Sequence, residues 1–226
     1  MLESVSDLLT SFRRLADDEG IDSLWSDAEL IEYADEAHRE FARETLCFPD
    51  STTFAPAVTT GDPWVKLDPR IIKVRHAILA SRRGVVSRKT LDELAEILSC
   101  SDYGQQQAYD WEVDTGTPRY LVTDLDPARG RLVPIPVEDD TLSLTVYREP
   151  KYSFTSISDL IEIPDKFRRS LLYGMMARAA EKQDIDAFGM SSATDFQLRW
   201  ERDLVEAYAF FRRKMRPAGT TGYGGI

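Results

Sequence analysis

The stretch from Gly116 to Pro150 most constrains the fold, because it alternates apolar and polar side chains with a period of two while both ends of the chain repeat at helical spacing. Its runs are Tyr120 and Val122, then Leu132, Val133, Ile135 and Val137, then Leu142, Leu144 and Val146. DPARG and EDD separate them with turn chemistry, so the stretch is expected to form a three-stranded β-meander. Pro134 and Pro136 have no N–H to donate, which puts the middle strand at an edge or gives it a bulge. Upstream, Trp64, Val65, Leu67, then Ile71, Ile72, Val74, Ala77, Ile78 and Leu79, then Val85 and Val86 read as further strands joined by tight turns.

Helices are expected on both sides. Val5, Leu8, Leu9, Phe12 and Leu15 mark an amphipathic helix with Ser4 as N-cap and Asp7 in its first turn. SDAE at Ser26 to Glu29 is a capping box that opens a second helix, whose apolar face is Leu30, Ala34, Ala37 and Phe41. TLDELAEIL repeats the device at Thr90 and Glu93, with Leu91, Leu94, Ala95 and Leu98 as the apolar side. Pro164 suits the first turn of a helix striped by Phe167, Leu171, Met175 and Ala179. Gly174 and its neighbouring alanines would let another helix approach closely. Ser192 is a candidate cap for the last helix, striped by Phe196, Trp200, Leu204, Ala207 and Phe211. The glycine-rich end, PAGTTGYGGI, has too little apolar surface to order itself alone.

These elements predict an α+β fold: a helical bundle from the N- and C-terminal helices, with a small antiparallel β domain in the middle. Residues 1–50 and 151–216 form the helical body, 51–150 a β-rich module with one short helix, and 217–226 a flexible tail.

Charge narrows the function. The net charge is −11, and residues 1–50 alone hold 14 acidic against 4 basic side chains, leaving the remainder near balance. Such a surface repels phosphates and anionic lipid, which disfavours direct nucleic-acid or membrane binding except at a local basic patch. The start lacks a positively charged signal-peptide region, and no apolar run approaches the roughly 20 residues of a membrane span. Cys47 and Cys100 with His38 and His76 show no metal-ligand spacing, which implies free thiols in a reducing compartment and no zinc.

Carboxylates are the only abundant reactive groups. The closest sets are Asp124 with Asp126, and Glu138, Asp139 and Asp140, all in expected turns; Asp124 and Asp126 would project on one strand face and could hold a divalent ion for a metal-dependent hydrolase. Aspartates at turns more often accept backbone amides, and no cofactor is expected. His38 and His76 have no partner at a spacing that suggests a triad. Phe196, Trp200, Tyr208 and Phe211 read first as a core stripe, with Tyr208 and Phe210 falling partly off the face and open to a partner. Arg212, Arg213, Lys214 and Arg216 suit a helix C-terminus, or an acidic partner surface.

The order of several short motifs then resembles the head-to-tail adaptor, or connector, proteins of tailed bacteriophages, over roughly residues 20–215. They are Trp25-Ser26-Asp27, Gly116-x-Pro118-x-Tyr120, Leu132-x-Pro134-x-Pro136, Tyr147-x-x-Pro150 and Lys182-Gln183-Asp184. The β-rich middle is most similar to the adaptors of short-tailed phages. The resemblance implies a non-enzymatic virion protein, made in the host cytoplasm and placed at the head–tail junction. There it would form a homo-oligomeric ring, usually of about twelve copies. The ring would lie beneath the portal protein, extend the DNA channel without binding DNA specifically, and offer a platform to tail or nozzle proteins. Portal docking is expected from Arg212, Arg213, Arg216, Pro217, Tyr223 and Ile226, and a subunit or tail interface from Pro134, Pro136, Tyr208 and Phe210. A stopper or tail-completion protein below the adaptor is the alternative within the same class.

Overall fold

A computed structural model describes residues 3–20, 23–82, 84–100, 111–180 and 190–215. The fold is α+β, and the chain divides into two compact units, one of residues 1–47 and 149–226, the other of residues 48–148.

The first unit is helical. Its α1 (Val5–Ala16) opens with the expected Ser4 cap, which accepts from the Asp7 amide, and the Asp7 side chain accepts from the Ser4 amide in return, completing a capping box. α2 (Asp27–Thr45) opens with the box between Ser26 and Glu29. The connection between them is tied by Arg13, which donates to Asp18, to the Trp25 carbonyl and to Asp27. Trp25 is buried edge-on to Phe12, ring centroids 5.3 Å apart, so the Trp-Ser-Asp motif both fills the core and starts the helix.

Across the sequence, a 3-10 turn (Asp165–Phe167) runs into α4 (Arg168–Ala179), and α5 spans Met190–Met215. Ser192 therefore lies inside α5 and does not cap it. The DIDAFGM turn, Lys182-Gln183-Asp184 and the tail from Arg216 onward lie outside the described residues. Gly174 is where the helices close on one another. A Cβ there would come within 3.1 Å of both the Ala37 Cβ of α2 and the Trp200 ring of α5, a spacing that only hydrogen fills without movement. Phe41, Phe167, Leu171, Met175, Trp200, Leu204, Ala207 and Phe211 are buried around this crossing.

The second unit is a curled sheet. Its strands are β1 (Pro49–Asp50), β2 (Ala57–Val58), β3 (Trp64–Lys66), β4 (Ile71–Leu79), β5 (Gly84–Lys89), β6 (Thr115–Gly116), β7 (Tyr120–Asp126), β8 (Arg129–Val133), β9 (Ile135–Pro136) and β10 (Asp140–Arg148), with α3 (Leu91–Cys100) between β5 and β6. Eight strands join in the order β1-β10-β4-β5-β7-β8-β3, β2 adding to β10, while β6 and β9 pair separately.

The expected meander is not what forms. The turn at Pro127 and Ala128 does close a β7–β8 hairpin, but β10 leaves its sequence neighbours and pairs with β4. Proline explains the break: Val133 is the last residue paired with β7, Pro134 cannot donate the next bond, and the chain departs into β9. The domain is also mixed, not antiparallel, because β5 and β7 pair in parallel at Ser87 with Tyr120 through Lys89 with Val122. A parallel pair needs a crossover, and α3 lies on it.

The strand patterns follow from two cores. Leu142, Leu144 and Val146 of β10 face Val74, Ala77 and Leu79 of β4 in the main core, and a register shift at Arg75 keeps Val74 inward despite its three-residue spacing from Ala77. On β7 the adjacent Leu121 and Val122 are both buried, Leu121 in that core and Val122 under α3 with Leu94 and Val133. Of the expected α3 face, Leu94 is buried and Ala95 is exposed.

Candidate interaction surfaces

The last two turns of described α5 carry the residues expected to meet a partner. Arg212, Arg213 and Lys214 are all exposed. Tyr208 is exposed beneath the Arg212 guanidinium, 5.9 Å from ring to charge. Phe210 is less free: it packs edge-on against Phe167 at 5.4 Å, with the Lys166 and Lys214 ammonium groups 4.6 and 4.7 Å from its ring. Arg216, Pro217, Tyr223 and Ile226 lie outside the described residues.

Pro134 and Pro136 do not form an open edge. Both are buried, since β9 pairs with β6 and the Gly61 amide donates to the Pro136 carbonyl, so their rings are out of reach of another subunit. The exposed apolar residue at this corner is Val137. The terminal strands of the large sheet are β1 and β3, and β3 is partly closed by Asp62, which accepts from the Trp64 amide.

The acidic sets hold the sheet unit's turns. Asp126 accepts from the Ala128 amide and the Arg129 guanidinium, which hold its carboxyl below the usual range. Asp124 points elsewhere: it accepts from the Leu91 amide and caps α3 across the sequence. Asp139 binds the Thr60 amide and hydroxyl, Asp140 binds Ser81, and Glu138 pairs with Arg82. Amides, hydroxyls and the Arg82 and Arg129 guanidinium groups thus occupy the carboxylates that a metal-dependent reading would need. Among the described residues, no group of three or more His, Cys, Asp or Glu side chains could hold a metal ion, and no helix is long and apolar enough to cross a membrane.

His76 is exposed on β4. His38 is buried, stacked on Phe154 with centroids 4.6 Å apart, and burial depresses its pKa to about 4. Sequence reasoning missed two arrangements. One is a groove of about 540 Å³ between His38 and residues 151–162. The other is the buried ion pair of Arg148 with Asp50, 3.1 Å apart, under Phe48. Burial alone would raise the Asp50 carboxyl, but the Thr52 and Thr53 amides, the Thr53 hydroxyl and Arg148 more than offset it and hold the carboxyl well below its usual range.

Among the described residues, the acidic turns of the sheet unit thus bind the chain's own backbone, and α5 ends in exposed aromatic and basic side chains. Residues 4–221 match the family model of the SU10 adaptor protein. The chain belongs to that family, which consists of structural adaptor proteins of bacteriophage. No match was found among curated proteins.

Proposed function

We propose that the chain is a head-to-tail adaptor that forms a ring, of about twelve copies, beneath the phage portal, continues the DNA channel and carries the tail. The family match over residues 4–221 carries this reading. The acidic surface supports it, because a net charge of −11 gives passing DNA few phosphate contacts to release counterions from, so the polymer can slide. The basic end of α5, with Arg212 and Arg213 exposed, supports docking on the portal through these residues and the following Arg216, Pro217, Tyr223 and Ile226. Of the expected subunit or tail interface, Pro134, Pro136, Tyr208 and Phe210, the exposed position that supports such a contact is Tyr208.

Deleting residues 217–226 tests the docking. The truncated chain should keep the circular dichroism of the full one and lose co-sedimentation with purified portal. Undiminished co-sedimentation would overturn docking through the tail, and a full-length chain that shows no ring on the portal by electron microscopy would overturn the adaptor reading.

A further inference from the structure

Two apolar surfaces of the helical unit remain exposed among the described residues. The first is on α5. Leu198 and Val205, 57% and 70% exposed, stand seven residues apart on one face, with Arg202 between them and Tyr208 and Arg212 continuing it. The buried stripe of Trp200, Leu204, Ala207 and Phe211 occupies another face, so packing inside the unit leaves this one unused. The second is the groove of about 540 Å³, floored by His38 and Phe154, with Tyr152 and Leu160 on its rim at 80% and 75% exposure.

The groove is pinned in place. Asp35 accepts from the Phe154 amide at 2.8 Å, Arg39 donates to Ser153, and Asp159 accepts from the Thr155 and Ser156 amides. The backbone of residues 157–161 further bonds to Glu3, Val5 and Ser6. A floppy loop exposes apolar side chains at little cost, but a pinned one holds them in water persistently, which marks a surface that a partner covers.

Charge says which partner fits. Asp159 and Glu162 line the groove, and the Thr155 and Ser156 amides keep the Asp159 carboxyl ionised. Arg202 and Arg212 flank the α5 stripe, both exposed. Lys151, at the groove, matches the exposed Glu201 of α5 in the opposite sense. The two surfaces also lie on different flanks of α2: Asp35 and Arg39 hold the groove segment, while Ala37, Glu40 and Phe41 face Gly174 and Trp200. One copy cannot bring them together, but two copies can.

We propose that the Leu198, Val205 and Tyr208 face of α5 docks in the Tyr152 and Leu160 groove of a second copy of this chain, joining subunits head to tail through unlike surfaces. This rests on the ring reading and names the surfaces that would build it. An unlike pair leaves one free face at each end of any open chain, and a rotation between neighbours that closes on itself turns that chain into a ring instead of a filament.

Val205→Asp and Leu160→Asp test this, both at exposed positions and each checked by circular dichroism and thermal melting for an unchanged fold. Self-association is measured by sedimentation velocity on the protein alone, and by electron microscopy on the portal as template. Each variant should associate at least tenfold more weakly than the wild type in either assay. Mixed in equal amounts, they should give a heterodimer and nothing larger, because only the Leu160→Asp stripe and the Val205→Asp groove remain intact. Wild-type association by either variant, a mixture that gives no dimer, or sensitivity to Val205→Asp alone would overturn the pairing. Rings on the portal unchanged by both variants would leave the adaptor reading intact and remove this inference. A wild-type chain that is monomeric both alone and on the portal would remove both.

Discussion

The helical unit and the sheet unit differ in how distant parts of the chain are joined. The helical unit is assembled from the two ends of the chain, and its centre is a fit among Ala37, Gly174 and Trp200, which come from three helices far apart in sequence. The sheet unit is one continuous stretch, and aspartates that bind nearby amides or neighbouring loops, such as Asp50, Asp126 and Asp140, hold its turns. Non-local packing has no small substitute, whereas turn bonds are many and individually modest. Damage to the first unit should therefore concentrate at a few residues, and damage to the second should be spread out except at its buried ion pair.

The tryptophans make the comparison measurable, because Trp25 and Trp200 belong to the helical unit and Trp64 and Trp111 to the sheet unit. Trp200→Ala should have the largest effect, about 4 kcal/mol of the helical unit's stability, because it opens a cavity against Phe41 and Gly174. Urea unfolding read by circular dichroism checks it, and a loss under 1 kcal/mol would break the claim that this crossing is the unit's keystone. Next is Arg148→Ala in the sheet unit, expected to cost about 3 kcal/mol by leaving Asp50 buried without its guanidinium. Fluorescence of Trp64 and Trp111, in a chain carrying Trp25→Phe and Trp200→Phe, follows that unit through urea unfolding.

A pH effect comes third and belongs to the helical unit. Burial keeps His38 neutral in the folded chain down to about pH 4, while an unfolded histidine takes up its proton near pH 6.5. Stability is thus fully present above pH 6.5 and is lost as pH falls towards 4, by about 2 kcal/mol at pH 5. His38→Phe, which keeps a ring on Phe154, should flatten this loss between pH 6.5 and 4 in urea titrations. A wild-type curve that is flat over that range would contradict the burial of a neutral imidazole.

The smallest expected change is Thr90→Ala, about 1 kcal/mol by loss of the α3 cap, read from the same sheet-unit fluorescence. Asp124 also accepts from the first amide of α3, so Thr90→Ala together with Asp124→Ala should cost more than the sum of the two alone.

The local signals can be read from the amino-acid sequence. Three capping boxes at Ser4, Ser26 and Thr90, the Asp126 turn, the inward set Leu142, Leu144 and Val146, and the close approach at Gly174 all follow from a few neighbouring side chains and the period of the backbone. The basic, aromatic end of α5 was legible for the same reason. Which strands pair emerges only in the completed fold, because two strands with suitable edges carry no label of their partner until burial on both faces selects one. That choice moved β10 next to β4, placed β5 and β7 in parallel around α3, and buried Pro134 and Pro136 where an open edge had been expected. It also turned Asp124 from a surface carboxylate into a helix cap and placed His38 beneath the rim of Tyr152 and Leu160, since both depend on residues brought together only by the completed fold.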